Sequence, residues 1–205
     1  MFPLGVLKHS NFPILDLPLA SDILDAGRFH HSVSSVLGTP QFIGNRLRLD
    51  GNTVLKVTYN SNLSFGNGNF AFSFKFELDA SSSGYFLSKR EGALSFRVSI
   101  SLTSVHVLLW GTSSGLNFPT PVSLSASTEY HLAVERYGDT ITVYLNGLAI
   151  NTETTNLPEL ATSSGDLYIG AYKDTSPPSY MPTGYIRQLQ IFRGAVYKGN
   201  FTPPA

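Results

Sequence analysis

The stretch Phe70-Ala71-Phe72-Ser73-Phe74-Lys75-Phe76-Glu77-Leu78 decides the fold class. Its apolar residues recur with period two, which puts Phe70, Phe72, Phe74, Phe76 and Leu78 on one face and Ala71, Ser73, Lys75 and Glu77 on the other. That is a half-buried β-strand, because successive side chains in a strand point to opposite sides of the sheet. Burying each large side chain is worth roughly 1.5 to 3 kcal/mol, against about 1 to 2 kcal/mol of backbone entropy per ordered residue. The strand therefore needs an opposing apolar layer.

The same alternation recurs outward from this segment. Leu94 to Leu102 sets Leu94, Phe96, Val98, Ile100 and Leu102 against Ser95, Arg97, Ser99 and Ser101, and Val105 to Trp110 follows it. Tyr130 to Arg136 and Ile141 to Leu145 are joined through a turn at Tyr137-Gly138-Asp139. Asn146-Gly147 predicts a type I′ hairpin turn, whose two central residues both need positive φ, with Leu148 to Asn151 as the return strand. Further strands are expected at Arg46 to Asp50, Val54 to Tyr59, Asp166 to Tyr172 and Gly184 to Phe192. Only Ser21 to Ala26 suggests a short helical turn, with Ser21 as its candidate cap. Many short strands punctuated by Gly, Asn, Pro and Ser predict an all-β, antiparallel β-sandwich of the jelly-roll kind. Ala80 to Gly84 and the proline-bearing Lys173 to Thr183 read as loops, and Phe201 to Ala205 as a tail lying across the surface.

Composition narrows the function. The 205 residues carry 14 basic and 14 acidic side chains, so net charge is zero and only 14% of residues are charged. With no Lys/Arg cluster there is no electrostatic footprint for nucleic acid and no polybasic patch for an anionic membrane. The absence of cysteine excludes a disulfide scaffold, a thiolate zinc site and a Cys nucleophile. No stretch approaches the roughly 20 apolar residues of a membrane span. Met1 to Lys8 lacks the cationic start and apolar length of a secretory signal, so synthesis in a cytoplasm without export is the expectation.

An ordered series of motifs carries a family resemblance. Leu47-Arg48-Leu49-Asp50-Gly51 is followed by Asn62 to Phe70 with its Phe65-Gly66-Asn67-Gly68-Asn69-Phe70 core. Leu87 to Lys89, Tyr130 to Val134, Thr142 to Gly147 and Leu167 to Gly170 continue the series. It closes with Gly184 to Ile191, Arg193 to Tyr197 and Asn200 to Pro204. From about Asp25 to the C-terminus the chain resembles laminin G-like domains of the concanavalin A-like lectin/glucanase superfamily, in the form found in bacteriophage virion proteins. The resemblance implies a single jelly-roll domain over 25–205, preceded by an N-terminal segment, 1–24. It also implies a virion protein, whether capsid decoration, fibre or tail-associated, that binds other virion proteins as a homo-oligomer, with a trimer one candidate symmetry.

Two departures from the family pattern bear on chemistry. Related jelly rolls place a calcium-holding carboxylate after the Gly-Tyr-Ile, where this chain has Arg187 and Gln188, so no metal or other cofactor is expected. Asp16, Asp22 and Asp25 are either an N-terminal acidic site that could hold calcium together with backbone carbonyls or, the plainer reading, solvated loop carboxylates and a helix-capping Asp. The superfamily's glucanases use a closely spaced carboxylate pair on one strand. Here the nearest pair is Glu129 and Glu135, set too far apart, with Glu135 in surface-like company. No Gly-x-Ser-x-Gly elbow is present, and the adjacent His30 and His31 point to opposite faces if extended, as an exposed loop pair would. The chain reads as a non-enzyme.

Binding remains. Trp110, Tyr172, Asp174 and Tyr180 are the candidate carbohydrate-binding residues, since rings beside hydrogen-bonding groups match a sugar's apolar face and hydroxyls. Taken singly, Trp110 packed in the core and tyrosines covering loop edges is the plainer reading. The polar faces Ser73, Lys75, Glu77 and Ser95, Arg97, Ser99, Ser101, read as neighbours, are either solvated or a subunit contact. The alternative to a virion component is a glycan-binding lectin or adhesin domain of a secreted or cell-surface protein, with host-surface carbohydrate as partner.

Overall fold

The structure is a computed structural model that describes residues 12–91, 93–110, 115–154, 164–172 and 179–204, with the side chains of 90, 91 and 93–95 left aside. Its strands are β1 (Leu15–Leu17), β2 (Val33–Leu37), β3 (Leu47–Asp50), β4 (Val54–Val57), β5 (Phe70–Leu78), β6 (Ser83–Glu91) and β7 (Ala93–Ser101). They continue as β8 (Ser104–Trp110), β9 (Gly115–Pro121), β10 (Tyr130–Tyr137), β11 (Thr140–Leu145), β12 (Leu148–Thr154), β13 (Leu167–Ile169) and β14 (Thr183–Phe192). Two antiparallel sheets result. Sheet A runs β1-β14-β5-β10-β11-β12 with β3 also on β14, and sheet B runs β2-β4-β13-β6-β7-β8-β9. The antiparallel β-sandwich expected from the alternation is the fold.

The aromatic face of β5 finds its opposing layer in sheet B. Phe72 stacks on Phe96 at 5.1 Å between centroids, and Phe86 meets Phe74 at 5.9 Å and Phe76 at 5.5 Å. Phe70, Phe72, Phe74, Phe76, Phe86, Phe96 and Phe118 are all buried. Such ring pairs add about 0.5 to 1.5 kcal/mol each beyond the area they bury. The hairpin turn takes its expected geometry, with Asn146 at φ 49° and Gly147 at φ 78°.

Several expectations are corrected. Ser21 to Ala26 forms no helical turn. Asp25 is instead a buried anchor, accepting from the backbone N–H of Asp16 (2.9 Å), Gly27 (2.7 Å) and His31 (2.7 Å) and from His31 Nδ1 (2.7 Å). It is therefore no solvated carboxylate, and His31 is buried rather than exposed. Ser83 and Gly84 belong to β6, not to a loop. The two polar faces are not neighbours: β5 lies in sheet A and β7 in sheet B, so they back onto opposite outer surfaces. Ser73 and Lys75 are both buried, Ser73 beneath Tyr197 of the C-terminal segment.

Residues 201–204 of the expected tail form no strand, and the segment before them is tied down on sheet A. Glu135 receives the backbone N–H of Val196, of Tyr197 at 2.6 Å and of Lys198 at 2.8 Å. Tyr197 stacks on Phe201 at 4.0 Å and shares a hydrogen bond with Ser73. Asn200 accepts from the N–H of Ala149 at 3.0 Å. Glu135 is thus a buried anchor and not a surface residue.

Candidate functional site

The outer face of sheet B gathers aromatic and hydroxyl groups in register. Tyr85 pairs with Ser99, which pairs with His106, while Ser83 pairs with Ser101 one row on. Alternation carries all of these to the outside, because Phe86, Val98, Val105 and Val107 take the inside. A bulge between Tyr85 and Leu87 lets Tyr85 face out beside the fully buried Phe86 and Leu87. These residues, with Ser104 and Tyr180, line an open cleft of about 240 Å³.

Tyr180 arrives from the loop leading into β14. It holds a left-handed backbone, φ 53°, and is 70% exposed. Its carbonyl accepts the N–H of Tyr85 at 2.9 Å, and its ring meets that of Tyr85 edge-on at 5.9 Å. The approach depends on Gly84, where a Cβ would stand 2.6 Å from both the Tyr180 carbonyl oxygen and the Pro182 nitrogen. Tyr172 is buried behind Tyr85, its ring 4.9 Å away, so it supports the wall of the cleft. The Arg97 guanidinium lies over both rings, 5.5 Å from Tyr85 and 5.3 Å from Tyr172. Across the cleft His106 Nε2 is hydrogen-bonded to Asn117 Oδ1, which fixes the imidazole plane.

Trp110 shares this outer face but not the cleft. It is 38% exposed at the end of β8, opposite Gly115, where a Cβ would stand 2.8 Å from its ring, and four residues from His106 or roughly 13 Å along the strand. Trp110 is consequently neither a core residue nor a cleft residue. Asp174 lies outside the described residues, as do 111–114 beyond Trp110. Tyr85, Arg97 and His106 were missed by sequence reasoning. The bulge breaks the alternation around Tyr85, and the other two looked like ordinary polar-face residues.

The acidic residues are engaged elsewhere. Glu129 takes a bidentate grip from Arg187, at 2.8 and 2.7 Å, which holds its carboxyl below the usual range despite partial burial. Arg48 holds Asp79 below its usual range in the same way, at 2.9 and 2.6 Å. Arg46 pairs with Glu77, and Glu135 is turned to the tail. Among the described residues no group of three or more His, Asp or Glu side chains is placed to hold a metal ion.

No curated protein matches the sequence. The fold is similar to that of the binding domain of Paraclostridial Mosquitocidal Protein 1, with a TM-score of 0.71 at 12% identity over 90% of this chain and 49% of that one. The receptor binding domain of the botulinum neurotoxin C/D mosaic serotype gives 0.71 at 16% identity, over 90% and 48%. The binding domain of botulinum neurotoxin DC, solved in complex with SialylT, gives 0.69 at 14% identity, over 91% and 49%. The chain thus spans about half the length of these solved structures. Residues 49–198 match the laminin G model described as the concanavalin A-like lectin/glucanases superfamily, and the chain belongs to that family.

Proposed function

We propose that this chain is a non-enzymatic carbohydrate-binding module whose ligand lies in the cleft on the outer face of sheet B. The observation that carries the reading is the convergence of two tyrosine rings, Tyr85 and Tyr180, with the hydroxyls of Ser83, Ser99, Ser101 and Ser104 and the imidazole of His106 around one open cleft. A pyranose presents an apolar face and a rim of hydroxyls, and this lining offers a partner to each. The rings are held in place before binding by Tyr172, Arg97 and the Gly84 contact, so little ordering remains to be done when a sugar arrives. Solved structures of similar fold include a botulinum neurotoxin C whose cell entry depends on interaction with two ganglioside molecules, which is consistent with the reading. The non-enzymatic reading rests on the engagement of Glu77, Asp79, Glu129 and Glu135 by arginines or backbone, which leaves none of them open to act as acid or nucleophile.

A glycan array with the intact chain tests it. Retention of a defined set of glycans, lost in Tyr85→Ala and Tyr180→Ala and kept in Trp110→Ala, is the expected result. An array without retention, or retention indifferent to both tyrosines, overturns the reading.

The ordered motif series from Leu47 to Pro204 favours a setting in a bacteriophage virion, with the module bound to other virion proteins as a homo-oligomer. Light scattering of the purified protein and co-sedimentation with phage particles test that setting. A monomer at high concentration with no affinity for particles counts against it.

A further inference from the structure

On the opposite side of the sandwich, sheet A carries a second cleft of about 250 Å³, bounded by β10, β11, β12 and the C-terminal tail. Register explains its lining. Glu135, Thr142 and Thr152 form one row across the three strands, and Tyr137, Thr140 and Thr154 form the next. All face outward, since Val134, Ile141 and Val143 are buried on the inner side.

The tail supplies the remaining wall. Because Glu135 holds the N–H groups of Val196, Tyr197 and Lys198, Lys198 is set at the rim in a left-handed conformation, φ 53°. Its ammonium lies 5.4 Å from the centroid of the Tyr137 ring, which is 55% exposed. Among the described residues no carboxylate pairs with Lys198. The one acidic group in the lining, Glu135, has both oxygens turned to backbone N–H groups. The cleft therefore presents an uncompensated cation, an aromatic edge and threonine hydroxyls together.

We propose that this cleft is a second ligand site, selective for a carboxylate-bearing oligosaccharide, with Lys198 meeting the carboxylate, Tyr137 the sugar's apolar face and Thr140, Thr142 and Thr152 its hydroxyls. The chain would then present carbohydrate sites on both outer faces and bridge two glycan chains through one rigid sandwich. The carbohydrate class rests on the function proposed above. The location and the charge preference rest on sheet A alone.

The test titrates the intact chain with trigalacturonic acid and, separately, with its neutral methyl ester, following backbone amide shifts by NMR. Shifts at Tyr137, Thr142 and Lys198 with the acid are expected. Lys198→Gln weakens binding of the acid about tenfold, the size of one charge-assisted contact, and leaves the ester unchanged. Tyr85→Ala leaves these shifts intact. Absence of shifts at Tyr137 and Lys198 with millimolar acid overturns the proposal whatever the sheet B cleft does, as does indifference to Lys198→Gln. Glycan retention lost in Tyr85→Ala, with no response at Tyr137, keeps the function proposed above and removes the second site.

Discussion

Asp25→Asn is expected to destabilise the fold by about 1 to 3 kcal/mol at pH 7, the cost of leaving a buried polar group without its hydrogen-bond partner. The Asp25 side chain is completely buried and serves three backbone N–H groups and one imidazole. An asparagine keeps an oxygen for Asp16 and Gly27, but its NH₂ replaces the oxygen that faces the His31 N–H and Nδ1. Two donors then meet at the His31 backbone, and an unsatisfied buried donor costs about 1 to 3 kcal/mol. The imidazole cannot relieve this freely: if Nδ1 becomes an acceptor the proton moves to Nε2, which is buried without a partner. The bonds that survive lose their charge assistance and with it roughly half their strength.

The acid response adds a second signature. Burial pushes the Asp25 carboxyl up, but the His31 side chain and the N–H groups of Asp16, His31 and Gly27 outweigh it and hold the group below its ordinary 3.8. A carboxyl depressed in the folded state stabilises above the unfolded value, and that stabilisation fades as pH falls through it. Urea denaturation followed by far-UV circular dichroism should therefore show parent and variant far apart at pH 7 and converging below about pH 4. A gap under about 1 kcal/mol at neutral pH, or one that stays constant on acidification, would refute the assignment of Asp25 as a charged anchor.

Four further outcomes follow from the packing. Burial, with the Lys75 charge nearby, pushes the His131 imidazole down from 6.5 to about 4. Between those values the unfolded chain binds a proton that the folded one does not, so stability drops as the pH is lowered, by up to about 1.4 kcal/mol per unit, and His131→Phe flattens that slope in denaturation curves. Phe86→Ala removes a fully buried ring that touches Phe74 and Phe76 and should cost about 3 to 5 kcal/mol in urea. Glu135→Gln should raise amide hydrogen exchange at 196–198 by an order of magnitude or more, while the β5 and β10 amides keep their protection, because the tail can lift without the sandwich opening. Gly84→Ala forces the Tyr180 carbonyl and Pro182 away from β6, so glycan retention drops while the far-UV spectrum is unchanged.

Much of the sandwich was legible because alternation is a local signal. β5, β7, β8, β10, β11 and β14 each carry enough inward apolar residues to announce a strand. β2 and β9 escaped because edge strands bury little, and β9 includes Pro119 and Pro121, tolerable only where a backbone donor is not needed. β6 escaped because its bulge places Phe86 and Leu87 inside in succession. The site was harder. Tyr172 and Tyr180 stood out in the sequence as aromatics around a proline-bearing loop, but their meeting with Tyr85 depends on that loop returning over β6, a non-local event. Asp25, His31 and Glu135 were misread for the same reason. A charged residue in a short polar context looks solvated until backbone from distant segments, here Asp16 or Val196 to Lys198, closes over it.

The position of β14 imposes an order of assembly. It sits between β5 on one edge and β1 and β3 on the other, so β1 and β3 acquire their sheet neighbour, and β5 its second, only when 183–192 arrives. During synthesis one edge of β5 and the unpaired edges of β1 and β3 must wait through the translation of some hundred residues. Sheet A therefore closes late, and an emerging chain has lasting unpaired strand edges that invite chaperone binding or mispairing. Sheet B, whose β6 to β9 pair consecutively, can form while that wait continues.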